Sequence, residues 1–488
     1  MGKLKQNIGA GHEGSTGSSP RNKLFQIMFR IIRNFLIALV LIFVAWYAIG
    51  RLVDKAAVRR LETKARRAGQ PLTVKEFVAT LPEVADEENA ALALIEIWKG
   101  DDPDYWEAFL AGERPGRPKE RQYDPDLPIL GRNSGSPAPG QQLSSLSQTA
   151  LEKYIEAQSN RIEAIRTALR RPHARYPIRF DETFSALLPH LPQVKAEAQT
   201  LRLAALRAAQ EGDAGASLKA AQDIVRLSET LANDAPLISQ LVRTACVRMA
   251  LDSAEDLLSR QSISREQLNA LETMVSSIEP RKALRLAMMS ERVMSLNFFD
   301  DPGSVMASTD MPDMPNPRDA SRGLGFLSFI GLTVGDRRLI LETMEEVIAI
   351  AEDTSPKAFE RSKKLEGELE KKLGGFPPKI FARLFLPSLS KATARFMALE
   401  ARIRAARVAL AVERYRLQHG KPPESLAALV PEHLKEIPID PFDGQPLRYR
   451  QSATNYVVYS LGPDLQDSRG RTRGRAGSPE DEGFTVNR

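Results

Sequence analysis

The sequence predicts a mainly α protein with one transmembrane helix, a body built as an α-hairpin array, and a small α+β module towards the C-terminus. Three observations predict it. Phe35 to Gly50 reads FLIALVLIFVAWYAIG, without a charge. Between about Ser144 and Asn297, apolar residues recur at helical spacing with breaks of only a few residues. Beyond Gly420, turn-forming Pro, Asp and Gly separate Leu447-Arg448-Tyr449 and Tyr456-Val457-Val458-Tyr459, whose aromatic and β-branched side chains suit strands.

Residues 1–23 are Gly/Ser-rich and polar and read as a disordered tail. The uncharged run that follows spans about 24 Å as a helix, slightly less than a ~30 Å hydrocarbon core. Ile31, Ile32, Leu52 and Val53 extend it, which places the membrane helix at 31–53. Its lipid-facing anchor residues are Phe35, Leu36, Ile37, Leu39, Val40, Leu41, Ile42, Phe43, Val44, Trp46, Tyr47 and Ile49. Arg30, Arg33 and Arg51 can snorkel to headgroups, and Trp46 and Tyr47 suit an interface. Trp46-Tyr47-Ala48 lacks the paired small residues of a cleavage site, which argues for a retained signal anchor. Basic residues flank both ends in near-equal number, so charge does not orient the span.

Residues 54–111 read as juxtamembrane helices. The first runs to about Ala68 and stops at Gly69-Gln70-Pro71, Thr73 caps the next, and Asp86-Glu87-Glu88-Asn89 opens a third. Residues 112–140 form a Pro- and Gly-rich linker, read as a long loop with a packed spot at Leu127, Ile129 and Leu130. The array occupies 141–299, with helices expected at 145–170, 191–211, 214–233, 236–260, 264–278 and 280–297. Gly212-Asp213 is a turn, and Ser264 with Gln267 has capping-box spacing. Leu201, Ala205 and Ala208 share one apolar face, and Leu218, Ala221 and Val225 another. Leu203 to Ala221 resembles one tetratricopeptide-type hairpin, but that period does not recur, so a generic array is expected. Breakers fill a loop at 300–325, and a helical segment follows at 326–390.

The C-terminal module is expected at 391–467, ahead of a disordered, Arg-rich tail at 468–488. Phe396, Leu399, Ile403, Ala406, Leu410 and Leu417 give one long amphipathic helix that ends at His419-Gly420. After it come Tyr415 and Gly420, Pro422, Leu429, Pro438, Asp440-Pro441, Gly444, Pro446, Tyr449, and then Tyr456 and Tyr459-Ser460-Leu461-Gly462-Pro463-Asp464. In this order, over about the last fifth of the chain, the region resembles the globular head of the G-type (major) pseudopilins of type II secretion. The whole layout also resembles a group of bacterial single-pass membrane proteins to which no activity is attached. These resemblances imply the inner (cytoplasmic) membrane of a bacterium, with the body on the extracytoplasmic, periplasmic side. In the pseudopilin family the loop after the last strand binds calcium, so the resemblance implies Asp464 and Asp467 as candidate calcium ligands; two aspartates here also read as plain turn formers. The chain departs from the family in two ways. It lacks the processing site before the hydrophobic helix, and more than 300 residues separate that helix from the head.

The net charge is +6, yet basic residues are interspersed with acidic ones, apart from the membrane flanks and Arg469, Arg471, Arg473 and Arg475. Nucleic acid is therefore not an expected partner. Cys246 is the single cysteine, on an apolar helical stretch, and allows neither a disulfide within the chain nor a cysteine zinc site. The five histidines show no ligand spacing, and Walker A, G-x-S-x-G and H-E-x-x-H motifs are missing. Ser388-Leu389-Ser390-Lys391 matches S-x-x-K but reads as a helix start after Pro387. Glu291 with Arg292, Glu345 with Glu346, and Glu400 with Arg404 read as solvated helix faces. Trp98, Tyr105 and Trp106 read either as a staple for a small core or as a recognition patch. The expectation is a non-enzymatic scaffold that needs no cofactor and binds the lipid bilayer and a protein partner. A secretion-system component and a hydrolase with an unfamiliar site are the alternatives, and the oligomeric state stays open.

Overall fold

A computed structural model describes residues 20–133, 135–180, 182, 186–300, 332–374, 379–472 and 480–487. Most of the expected N-terminal tail, nearly all of the 300–325 loop, the apolar stretch from 326, and Arg473 and Arg475 lie outside the described residues. The chain divides into two compact units, Met1–Ala57 and Val58–Arg488.

The first unit is the apolar part of helix α1 (Pro20–Arg67). Its Leu, Ile, Val and Phe side chains are exposed from Phe35 to Ile49. Among the described residues, α1 is one helix long and apolar enough to cross a membrane, and none of its apolar window is buried. Phe43 stacks on Tyr47 within the helix, ring centroids 6.5 Å apart.

The second unit is mainly helical. The last turns of α1 bury Val58 and Ala65 with Leu72, Leu296 and Leu341. Gly69 then takes a left-handed φ of 66° and ends the helix. Thr73 and Glu76 form a capping box on α2 (Val74–Val78), and Glu76 also pairs with Arg66 at 2.6 Å. Helices α3 (Ala90–Asp101) and α4 (Pro103–Leu110) follow, with Asn89 capping α3 through the Ala91 amide. Asn89 also ties a later segment to this start, bonding the backbone N–H and C=O of Arg175.

The described residues of 112–140 hold no helix or strand. Leu127 is fully buried. Gly131 is required there, because a Cβ would meet the Pro125 carbonyl oxygen at 2.4 Å. Helices α5 (Ser145–Ala168), α6 (His190–Glu211), α7 (Ala214–Glu229), α8 (Leu237–Arg260), α9 (Arg265–Ser276) and α10 (Pro280–Asp300) come next. Their ends match the expected ones to within a few residues. Gly212 is left-handed at φ 87°, and the Ser264–Gln267 capping box forms. Helices α6, α7 and α8 pack on one another. Helices α11 (Leu332–Glu352), α12 (Lys357–Leu373), α13 (Ile380–Phe385) and α14 (Pro387–His419) complete the set.

Strands β1 (Arg448–Gln451), β2 (Asn455–Ser460) and β3 (Glu482–Asn487) form an antiparallel sheet in that order. Strand β3 corrects the expectation of disorder through 488. It pairs with β2 along its length, Phe484 opposite Val458 and Val486 opposite Tyr456. Phe484 and Val486 are buried, because alternate residues of a strand share a face. One apolar core joins α3 through α9, the second half of α14 and Tyr456, Val458, Phe484 and Val486 of the sheet. The first half of α14, with Leu389, Ala392 and Phe396, serves another core with α10 and α11. Helix α14 thus runs through both.

Candidate functional site

A cavity of about 320 Å³ opens where α3, α4, α5, α6 and the Pro-rich loop meet. Helical spacing explains most of its wall. Tyr154, Gln158 and Arg161 lie one turn apart on α5, and Gln193 comes from α6, one turn before the buried Glu197 that sits behind the wall. The break between α3 and α4 brings in Asp101 and Asp102, and Pro103 suits the first turn of α4 because its missing N–H would have no partner there. The loop contributes Lys119, Arg121 and Tyr123.

Glu197, fully buried, organises the base of the cavity. Its Oε1 accepts from Arg121 at 2.9 Å and from the Arg161 Nη2 at 2.7 Å, while Arg161 Nε reaches Oε2 at 3.2 Å. Arg161 also donates to Asp101 at 3.0 Å, and Arg121 donates to the Gln193 carbonyl oxygen at 2.8 Å. Burial works against both guanidinium charges, but Glu197 outweighs it and both hold their protons more tightly than usual. Asp102 accepts the Lys119 amide at 3.0 Å.

Aromatic rings make the rest of the wall. Trp98 and Trp106 are buried and stack 5.5 Å apart, and Tyr105 stands edge-on to Trp106 at 5.8 Å. The sequence left two readings for these three residues. The tryptophans staple the core, while half-buried Tyr105 lines the cavity. The Trp98 indole N–H has no acceptor among the described residues. Tyr123 and Tyr154 lie 6.2 Å apart and are half-buried. Thr200 donates its hydroxyl to the Ala196 carbonyl, so the Tyr154 hydroxyl donates to Thr200 at 2.9 Å. Loss of solvent raises the phenol pKa of Tyr105 and of Tyr154. The cavity therefore offers fixed carboxylates, guanidiniums and amides beside ring faces. No Ser, Cys or His lines it among the described residues.

A second charged cluster, beside a cavity of about 300 Å³, joins α6, α8, α14 and β3. Buried Arg402 donates to Asp252 at 2.5 Å and to Glu255 at 3.0 Å. Arg202 reaches Asp252 at 3.1 Å and the Ser136 hydroxyl at 2.7 Å. Glu255 accepts the backbone N–H of Thr485 at 2.9 Å, and Arg248 pairs with Glu482 at 2.9 Å. These contacts fasten β3 to α8. Burial opposes the Arg402 charge, but Asp252 and Glu255 more than compensate and raise its pKa.

The expected site residues fall elsewhere. Asp464 accepts the Gln466 amide at 3.1 Å. Asp467 accepts the Arg469 amide at 2.7 Å and the Tyr459 hydroxyl at 3.3 Å. Both act as turn formers. Asp481, which binds the Ser468 and Gly470 amides, has its carboxyl pKa raised by burial, with the charges of Asp467 and Asp464 adding. Among the described residues no group of three or more His, Cys, Asp or Glu is placed to hold a metal, so the calcium expectation finds no ligand set. Helix α14 starts at Pro387, which makes Ser388 to Lys391 part of a helix start.

The acid and base residues expected on solvated faces divide. Glu400 does pair with Arg404 one turn on, and also with Arg281 at 2.8 Å. Glu345 pairs with Lys64, and Glu346 with Arg361 at 2.8 Å. Arg292 departs from that picture. It is buried and donates to the Gln70 side chain at 2.7 Å and the Pro71 carbonyl at 3.0 Å. Burial pushes its pKa down to about 10, against the nearby charge of Glu345. Glu291 accepts the Leu237 amide at 3.0 Å at the start of α8, and desolvation holds its carboxyl above the usual range.

Two buried groups complete the survey. Cys246 is fully buried, and its thiol is pushed up to about 12. His190 bonds Asp234 at 2.6 Å and stacks on Tyr176 at 4.1 Å, with both members of the pair sealed from solvent. The His190–Asp234 pair was invisible in the sequence, because 44 residues separate its members. No protein-family model matches the chain, and neither does any curated protein or solved structure.

Proposed function

We propose that the chain is a membrane-tethered binding protein. Helix α1 crosses a bilayer once, and an α-hairpin array closed by the C-terminal module carries a recognition site outside the cytoplasm. The observation that carries this reading is the exposed run from Phe35 to Ile49. Each such Leu, Ile or Phe forgoes about 1.5–3 kcal/mol of burial in water, a cost that a bilayer removes. The flanking Arg30, Arg33 and Arg51 suit headgroups. The cavity around Glu197 is the recognition site, since it combines ring faces with polar groups already held in place. A long helix packed on a three-stranded antiparallel sheet supports the likeness of the C-terminal module to a pseudopilin head. Its distance from the anchor makes it a module reused on another body rather than a filament subunit.

The test has two arms. The protein is expected in alkali-resistant membranes, and Val40→Arg with Leu41→Arg is expected to release it. A photo-crosslinking residue at position 158 is expected to capture a discrete partner that the same probe at exposed position 219 does not. Wild-type protein extracted by alkali would overturn the anchor, and identical labelling at 158 and 219 would overturn the recognition site.

A hydrolase is the second reading, favoured by Asp101 and Asp102 at one cavity. Asp101 pairs with Arg161 at 2.9 Å. Turnover of a bound ligand, abolished by Asp101→Asn, would favour it over binding alone.

A further inference from the structure

The geometry points to a neutral sugar as the ligand of the Glu197 cavity, either one or two rings long or the end of a longer glycan. This rests on the reading of that cavity as a recognition site.

Charge is the first argument. Lys119, Arg121 and Arg161 face Asp101, Asp102 and Glu120 around the wall, with Glu197 below the two arginines. Arg121 and Arg161 already share Glu197, and Arg161 also holds Asp101. A charged ligand of either sign would compete with these pairs and gain little net charge complementarity. An uncharged ligand leaves them intact.

Shape and chemistry are the second. Carboxylates, guanidiniums and side-chain amides are planar groups with paired acceptor or donor sites, which match adjacent hydroxyls on a ring. The cavity holds all three kinds, with Gln122, Gln158 and Gln193 as the amides. A sugar also has apolar C–H faces, and the half-buried rings of Tyr105, Tyr123 and Tyr154 provide flat surfaces for them. Size agrees as well: about 320 Å³ lies at the lower end of small-molecule sites, too small for a folded partner's side.

The experiment uses the full chain in a zwitterionic detergent, because glycoside detergents would compete. Trp46→Phe removes the tryptophan of the anchor, leaving Trp98 and Trp106 beside the cavity as fluorescent reporters. The probes are cellobiose, maltose and the N-acetylglucosamine disaccharide, with glucuronate, glucosamine and an uncharged tetrapeptide as competing classes. At least one neutral disaccharide is expected to give a saturable change. Tyr123→Ala and Gln158→Ala are each expected to weaken it by about tenfold or more. Added salt should leave it unchanged within about twofold, because no net charge is neutralised. Lys219→Ala is the control and leaves binding as it was.

Three results overturn the inference: no disaccharide saturates; binding survives both cavity substitutions; or only a charged probe or the peptide binds. If the sugars fail while the probe at 158 still captures a partner, only this inference falls. If both fail, the recognition site falls with it.

Discussion

The two charged clusters of the body are built from the same groups, lie beside cavities of about 320 and 300 Å³, and differ in what is packed against the charges. Around Glu197, two arginines converge on one buried carboxylate, and aromatic rings keep the space beside them open. Around Arg402, one buried arginine holds two carboxylates, and β3 lies across the cluster, with its Thr485 amide on Glu255. The difference is in what covers the charges. A strand supplies backbone donors and ties one side of a cluster into a joint. Aromatic side chains supply no regular ladder of donors, so they leave room beside the charges they flank.

The contrast can be tested by removing the central group of each cluster. Arg402→Ala takes the shared guanidinium from Asp252 and Glu255, leaving them Arg202 and the Thr485 amide, and is expected to cost about 3 kcal/mol, read as a lowered denaturant midpoint. A loss below about 1 kcal/mol would mean that the joint is not what holds β3. Glu197→Gln is expected to cost less, about 2 kcal/mol, because Arg121 and Arg161 are partly solvated and can turn to water. If the two losses were equal, the distinction between a strand-bound joint and a cavity wall would fail.

Glu291 sharpens the comparison, since it is a carboxylate with an amide partner and no guanidinium. Its pKa is raised by desolvation, so the native state keeps a proton that the unfolded chain has released. Stability is therefore full below the ordinary glutamate range and falls as pH rises from there through the raised native value. Glu291→Gln is expected to flatten that slope in urea titrations run across the range, and an unchanged slope would show the shift to be without consequence. Tyr123→Ala has the smallest expected effect on stability, within about 0.5 kcal/mol, because the ring is half-buried on a loop. Its effect belongs to binding, so a large loss of stability would make the cavity a structural feature instead.

Local chemistry made much of the fold legible. The uncharged run foretold α1, and Thr73, Ser264, Gly212 and Gly420 marked helix ends because caps depend on one or two residues. Strand β3 was hidden because Phe484 and Val486 make only a brief alternation after an Arg-rich stretch. The two clusters were hidden for another reason. Glu197 lies one turn before Leu201 on the apolar stripe of α6, and Arg402 lies between Leu399 and Ile403 on that of α14. A charge on an apolar stripe was the available signal, and only the fold supplies the partners. Arg121 comes from the Pro-rich loop, where no periodicity points to it.

Strand β3 also has a consequence for the order of events in synthesis. Thr485 bonds Glu255 across 230 positions, and Asn487 bonds the Pro139 carbonyl across 348. The core that begins at α3 therefore stays open until residues 482–487 have left the ribosome, long after α1 has emerged. Through that interval the helices of the array carry an uncovered apolar flank. A chaperone that holds nascent chains is expected to bind there, and to let go when the last strand docks.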